Sequence, residues 1–427
     1  MGALAQSAGD AIPDRYIVTL KPGVDSVLAA AQRGIGATRH FRLALNGYVA
    51  TLPPGLARQL ANAQEVESVI PDRIVEAIAR PGGGGGGGGS NVQVTPEGLK
   101  RIGAIPRTLV ANGSGVGVAI VDTGIDFAHR DLAPGSAQYN ALTGAIPTNA
   151  QDDHGHGTHV AGTVAALDNT VDVVGVGVAP AATPYAVKVL NAQGSGSDSE
   201  IIAGLEWVLG NAELVSPPIR VVNMSLGRPL AIAAGETAEN SVLRAPVDAL
   251  VAAGITVVVA AGNECGDMVS AKVPATFPSV VAVGATTAKS GTSATSRAPI
   301  VADSACFFTT DGALGGNGIG VSISAPGSDQ ENIIKGSRLQ GVGILSTLLG
   351  GGTTRMSGTS MASPHVAGVV ALLYSQNANL TPAEARQKLT GGASLIGIAP
   401  YDGRTTCYTF DGVREGILSA PGALSAP

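Results

Sequence analysis

The sequence predicts a three-layer α/β/α domain with a mostly parallel sheet, from about Val92 to the C-terminus, preceded by a small α+β domain. Three observations carry this. The runs 118–121 and 257–261 are apolar without alternation, as in strands buried on both faces. Each leads to a polar residue, Asp122 in one case and Asn263 in the other. Stretches of small apolar residues, such as 366–373, suit buried helices. Finally, Pro81, eight glycines (82–89) and Ser90 cannot build a core and mark a flexible linker, with a reach of about 16 Å.

The elements follow in order. Residues 1–13 read as an unstructured N-terminal remnant. Within 14–80, Arg15 to Leu20 alternates like a strand, 24–32 reads as a helix, 46–52 as a turn and strand, and 56–63 as a second helix. Two closing strands are expected at 66–72 and 74–77, giving a ferredoxin-like arrangement. The linker occupies 81–91, and the larger domain 92–427. In it, Ser197-x-x-Glu200 predicts a capping box that opens a helix through Trp207. The stretch 290–320 is rich in turn residues and reads as a surface insertion.

Three segments carry chemistry. Asp122 closes a buried strand, where catalytic groups gather in open α/β sheets. His156 stands in His154-Gly155-His156-Gly157-Thr158-His159, just before a helix of small residues. Ser360 stands in Gly358-Thr359-Ser360-Met361-Ala362-Ser363-Pro364-His365, where a small-residue loop enters an apolar helix. A serine there lies beside free backbone N–H groups, which can stabilise a developing negative charge. The order is Asp, His, Ser.

With these segments and Ala260-Ala261-Gly262-Asn263, the chain resembles the subtilisin-like serine proteases, the subtilases, over most of its length. The resemblance implies a secreted serine endopeptidase made as a zymogen. Ser360 would attack the scissile carbonyl, His156 take its proton, and Asp122 hold the other ring nitrogen. The Asn263 side chain and the Ser360 N–H would bind the oxyanion. Backbone atoms of Gly194, Gly196, Ser225 and Gly227, with Leu226 between them, would hold an extended peptide as an added strand. The Gly227 wall and the Ala260 and Gly262 wall would flank the residue before the scissile bond. Such main-chain reading implies broad specificity.

Residues 14–80 resemble the family's inhibitor-type propeptide, an intramolecular chaperone that blocks the cleft. Cleavage in cis is then expected between residues 77 and 91. The family also implies a structural Ca2+. Its ligands would be the side chains of Gln93, Asp131 and Asn169 and the carbonyls of Leu167, Val171 and Val173, oxygen donors as calcium prefers. A monomer acting on protein or peptide substrates is implied.

Other readings stay open. A prodomain that never leaves would make a catalytically silent binding protein. The His-x-His-x-x-His spacing of His154, His156 and His159 also suits a metal hydrolase, but only His365 and scattered cysteines follow as further ligands. Otherwise His154 reads as a surface residue, His159 as a hydrogen-bonded structural one, and His365 as packing behind the serine helix. Asp126 and Asp152 read as turn or capping residues. Cys265 could pair with Cys306 or with Cys407. The net charge of −6 gives no reason to expect nucleic acid as a partner, and no apolar run reaches membrane-span length. Residues 1–8 lack the charged and apolar regions of a whole signal peptide, so secretion rests on the resemblance.

Overall fold

A computed structural model describes residues 7–78, 80–81, 93–105, 107–144, 149–169, 176–394 and 415–427. The glycine tract, Val171, Val173 and Cys407 lie outside the described residues.

The N-terminal part runs β1 (Ala11–Leu20), α1 (Ser26–Gln32), β2 (Ala37–Phe41), β3 (Gly47–Thr51), α2 (Pro54–Leu60) and β4 (Val66–Ala77), then a two-residue β5 (Arg80–Pro81). The two closing strands expected at 66–72 and 74–77 are one strand. Pro71 has no N–H to give, yet β4 continues past it, because β1 is irregular opposite it, between Ala11 and Tyr16. Alternation along β1 gives the sheet two buried faces. Val18 and Leu20 join Tyr48, Ala50 and Leu60 in a core of this part's own. Ile17 joins Phe41 and Val49 in the core shared with the larger part.

The larger part begins with α3 (Glu97–Ile102), β6 (Gly117–Asp122), β7 (Tyr139–Asn140), α4 (His156–Ala165), β8 (Thr183–Lys188) and β9 (Ser195–Ser197). It continues through α5 (Asp198–Asn211), β10 (Ile219–Met224), β11 (Leu226–Pro229), α6 (Arg244–Ala252), β12 (Thr256–Ala260) and β13 (Lys272–Val273). Then come β14 (Val281–Thr287), β15 (Ile323–Ser328), β16 (Gln330–Ile334), β17 (Arg338–Val342), β18 (Ile344–Thr347) and β19 (Thr353–Ser357). The helices α7 (Thr359–Gln376), α8 (Pro382–Gly391) and α9 (Ala420–Ser425) finish it.

The central sheet has the order β15-β14-β12-β10-β6-β8-β7, and every neighbouring pair is parallel. Val118 and Ile120 of β6 pack with α4 and α7 on one face. Ala119 and Val121 pack with α5 and α6 on the other. Burial on both faces is why these strands read as unbroken apolar runs. A second sheet, β13-β11-β4-β1-β3-β2 with β9 also on β4, takes strands from both parts. Its joint is β4.

Two further expectations change. Ser197 caps α5 by accepting from the Glu200 N–H, but the reciprocal bond of a capping box is made instead at α8, by Thr381 and Glu384. The stretch 290–320 is not merely superficial. Cys306, Phe308 and Thr310 are buried, and the Thr310 N–H donates to the Gly262 carbonyl at 3.0 Å, so this segment backs the loop carrying Asn263. Cys306 is a free thiol while Cys265 is disulfide-bonded, so Cys265 and Cys306 are not paired with each other.

Candidate active site

Asp122 is the last residue of β6, fixed between β8 and β10 and wholly buried. The Thr123 N–H donates to its Oδ1 at 2.7 Å. His156 is the first residue of α4, entered through Gly155 at φ +101°, a backbone conformation that favours glycine. At Gly157 a Cβ would stand 2.1 Å from the Gly124 carbonyl oxygen, so only glycine lets α4 lie against the turn after Asp122. His156 Nδ1 then donates to Asp122 Oδ1 at 2.7 Å and Oδ2 at 2.9 Å, which leaves Nε2 as the basic nitrogen. Burial alone would lower the His156 pKa. The Asp122 carboxylate, with Asp152 adding to it, raises it above the ordinary 6.5.

Asp152, which the sequence marks only as a turn or capping residue, holds this corner together. Its two oxygens accept from Thr123 Oγ1 (2.8 Å), the N–H groups of His154, Gly155 and Thr158 (each 2.9 Å), and Thr158 Oγ1 (2.6 Å). It therefore caps α4 and ties it to the residue after Asp122.

Ser360 is the second residue of α7. Pro364 lies four residues on and has no N–H to give the Ser360 carbonyl. The Ser225 hydroxyl takes that place, donating to the Ser360 carbonyl oxygen at 2.9 Å. Asn223 Nδ2 donates to Ser225 Oγ (2.9 Å), and Ser363 Oγ donates to Asn223 Oδ1 (2.7 Å), so β10 and the start of α7 are locked together. Asn263 Oδ1 accepts from Thr359 N (2.9 Å) and Thr359 Oγ1 (3.1 Å). That fixes which way the amide faces. Its Nδ2 donates to the Ile78 carbonyl oxygen at 3.0 Å. The Ser360 hydroxyl donates to the same Ile78 oxygen and lies 3.0 Å from the Ser225 carbonyl. His156 Nε2 has no hydrogen-bond partner among the described residues.

The end of β4 lies along the cleft. The Ala77 N–H donates to Gly194 O at 2.8 Å, and the Ile78 N–H to Ser225 O at 3.3 Å. Antiparallel to β4 on one side, β9 sets Gly196 against Val75; on the other, β11 sets Leu226 against Ala77 and Gly227 against Glu76. Val75 is fully buried, which contributes about 1.5–3 kcal/mol. Beyond Ser360, β5 pairs with β19, Arg80 against Ser357. The chain therefore runs past Ser360 as an extended strand gripped on both sides of residue 79, which lies outside the described residues. Ile78 adjoins a cavity of about 210 Å³ walled by Gly227, Ala260 and Gly262. Lys272 also lines it, bonded to Glu264 (3.2 Å) and Asp267 (2.6 Å). That ionic wall had no signal in the sequence reading.

Elsewhere, carboxylates join the two parts. Asp72 accepts from the N–H (3.0 Å) and hydroxyl (2.6 Å) of Ser199 in the first turn of α5, and pairs with Arg15 at 2.8 Å. Glu206 Oε1 accepts three successive N–H groups, from Arg42 (2.9 Å), Leu43 (2.8 Å) and Ala44 (3.1 Å).

Gln93, Asp131, Leu167 and Asn169 come together. Gln93 Nε2 lies 2.6 Å from the Leu167 carbonyl oxygen, Asn169 Nδ2 3.0 Å from Asp131 Oδ1, and the Leu167 N–H donates to the Asp131 carbonyl at 3.0 Å. Of the other histidines, His154 is exposed, His159 Nε2 donates to the Ile344 carbonyl (2.9 Å), and His365 is buried with Nδ1 on the Met361 carbonyl (2.7 Å). Among the described residues no three His, Cys, Asp or Glu side chains group as metal ligands. No described helix is long and apolar enough to cross a membrane.

Comparison with known proteins bears on both parts. Residues 113–409 match the model of the Subtilase family, and residues 15–77 match that of Peptidase inhibitor I9. Subtilisin E of Bacillus subtilis (strain 168) is 35% identical over 414 residues, covering 94% of this chain and 91% of the relative. Subtilisin of Bacillus pumilus is 40% identical over 298 residues, 68% of this chain and 88% of its own. Subtilisin Savinase of Lederbergia lenta is 37% identical over 307 residues, 71% and 93% respectively.

Proposed function

The chain belongs to the subtilase family of serine endopeptidases and carries an I9-type propeptide; from that premise we propose that Asp122, His156 and Ser360 form its catalytic triad and that its first substrate is its own Ile78–Ala79 bond. The observation that carries this reading is the Ile78 carbonyl, held by both Asn263 Nδ2 and Ser360 Oγ. Ser360 Oγ adds to that carbon as its proton passes to His156 Nε2, and Asp122 stabilises the imidazolium. The Asn263 amide and the Ser360 N–H, in the first turn of α7, bind the oxyanion. His156 returns the proton to the Ala79 nitrogen, that bond breaks, and water then hydrolyses the acyl-enzyme. Substrates bind as β4 does, as a strand added between β9 and β11 through Gly194, Gly196, Ser225, Leu226 and Gly227, which reads main chain and favours broad specificity. Until cleavage, the propeptide fills the cleft it helped to shape.

The enzyme is secreted and acts as a monomer. It holds one Ca2+ through Gln93, Asp131, Leu167 and Asn169, with the Val171 and Val173 carbonyls from the same loop. The donors are all oxygens once the two amides are turned by half a rotation, which suits calcium. The ion would supply charge that ties three segments together, and no chemistry.

Self-processing tests the central claim. Purified full-length chain and Ser360→Ala are incubated side by side and followed by gel and N-terminal sequencing. The wild type alone should give a mature chain beginning at Ala79. Processing in both, in neither, or a first cut that leaves a start other than Ala79 would refute it.

A further inference from the structure

Asn263 lies three residues past β12, beyond the pairing of that strand with β14. Gly262, just before it, stands at φ +121°, a conformation that favours glycine, and Glu264, just after it, is exposed. The Thr359 bonds fix how the amide is turned, but where it stands depends on this short piece of backbone. Thr359 reaches that backbone through the Gly262 N–H, which donates to its hydroxyl at 3.2 Å. Thr310 brackets it from both ends. The Thr310 N–H donates to the Gly262 carbonyl at 3.0 Å. The Thr310 hydroxyl accepts from the Glu264 N–H and donates to the Glu264 carbonyl, each at 3.2 Å. A Cβ at Gly262 would stand 2.6 Å from Thr310 Oγ1, so the approach is as close as glycine allows.

Thr310 is itself well anchored. It is buried, and its neighbour Thr309 accepts the Ala285 N–H through its hydroxyl at 2.9 Å. The Cys306 N–H donates to the Ala285 carbonyl at 2.9 Å. Ala285 belongs to β14, which lies between β12 and β15 in the central sheet. Behind this segment the Phe307 N–H donates to the buried Glu331 carboxyl at 3.1 Å. Asn263 is therefore tied to the sheet twice, along the chain from β12 and across from β14 through Thr310. That precision matters for an oxyanion donor, which works only within about 2.7–3.1 Å of the charge it meets. Asn263 Nδ2 already stands 3.0 Å from the Ile78 oxygen, so little slack is left. A misplacement of about 1 Å can cost about 100-fold in rate.

We propose that Thr310 is a positioning residue for peptide hydrolysis: by holding the backbone on both sides of Asn263, its hydroxyl keeps the Asn263 amide within reach of the oxyanion. This rests on the reading of Asn263 as an oxyanion donor given above.

The test measures kcat and KM of the self-processed enzyme on a chromogenic anilide of the sequence Val75 to Ile78. Thr310→Val keeps the shape and the N–H but loses the hydroxyl. It should lower kcat by about 10-fold with KM within about 2-fold of wild type. Thr310→Ser, which restores the hydroxyl, should recover kcat to within about 2-fold. A residue that acts only through Asn263 has nothing left to position once that amide is gone. In the Asn263→Leu background, Thr310→Val should therefore change kcat by less than about 2-fold. An unchanged kcat in Thr310→Val, a Ser variant as slow as the Val variant, or the full loss repeated in the Asn263→Leu background overturns the proposal. Should Thr310→Val not fold, Thr310→Ala removes the same hydroxyl and carries the test. If neither folds, the hydroxyl is structural and the proposal is overturned. Asn263→Leu alone separates the two readings: a wild-type kcat there removes the oxyanion role first, whereas a slow Asn263→Leu beside a fast Thr310→Val overturns only the role of Thr310.

Discussion

Asn263 shows how a single side chain is aimed. Its oxygen is occupied by Thr359, one residue before Ser360, so its NH2 can only face the Ile78 carbonyl. Because that donor matters most when the carbonyl oxygen becomes an anion, Asn263→Leu should lower kcat by about 10²–10³ with little change in KM. The size is borrowed from subtilisin's own oxyanion asparagine. An unchanged kcat in a steady-state assay would remove Asn263 from this role. Asp122 ends β6, His156 starts α4, Ser360 is second in α7 and Asn263 lies three residues past β12, so the plain apolar pattern of those elements marked the four as candidates. Their supports were not legible. Pro364 and Ser225 are 139 positions apart, and only the fold reveals that one leaves a carbonyl free which the other satisfies. Asp152 looked like any loop aspartate, since its five donors come from two segments that approach only after α4 packs on β6.

At the scale of elements, strands buried on both faces were read correctly because nothing interrupts them. The misreadings have local causes. Pro71 split β4 on paper, but β1 is irregular opposite it, so the strand survives. Turn residues made 290–320 look external, whereas contact with the Gly262 loop draws Thr310 inside. The pairing of β5 with β19 followed from no pattern, since a two-residue strand has no periodicity. The loop after α4 carries the calcium proposal. With three segments held by one ion, replacing calcium with EGTA should lower the melting temperature of the processed enzyme by about 5–10 °C. An unchanged melting temperature would argue that Gln93 and Asn169 serve only as the amide bridges they form to Leu167 and Asp131.

For the whole molecule, buried titratable groups set the pH range of stability. Burial pushes His159 down to about 3 and His365 down to about 4, from 6.5. Below pH 6.5 the unfolded chain binds protons there that the native chain refuses, so stability is lost on acidification toward about pH 3. Glu331 acts in the opposite sense. Burial pushes it up from 4.5 to about 8, so across that window the native chain keeps a proton the unfolded chain has released, and stability falls as pH rises. Two histidines outweigh one carboxyl up to pH 6.5, above which only Glu331 still counts among the three, so the joint contribution of these three groups to stability is greatest near pH 6.5. Glu331→Gln should flatten the decline between pH 6.5 and 8 and leave the acid side unchanged; a decline that persists would exclude Glu331 as its cause. The shared sheet has a consequence of another kind. Once β4 departs, β9 and β11 become facing edges with an empty lane between them, and any polypeptide entering must surrender a run as long as residues 74–78, with two more beyond the cut, to a fully extended shape. Well-folded neighbours have no such length to spare. On the proposed reading of this cleft, the enzyme would sort proteins by how loosely they are built before it sorts them by composition, as a gauge of slack in the chains around it.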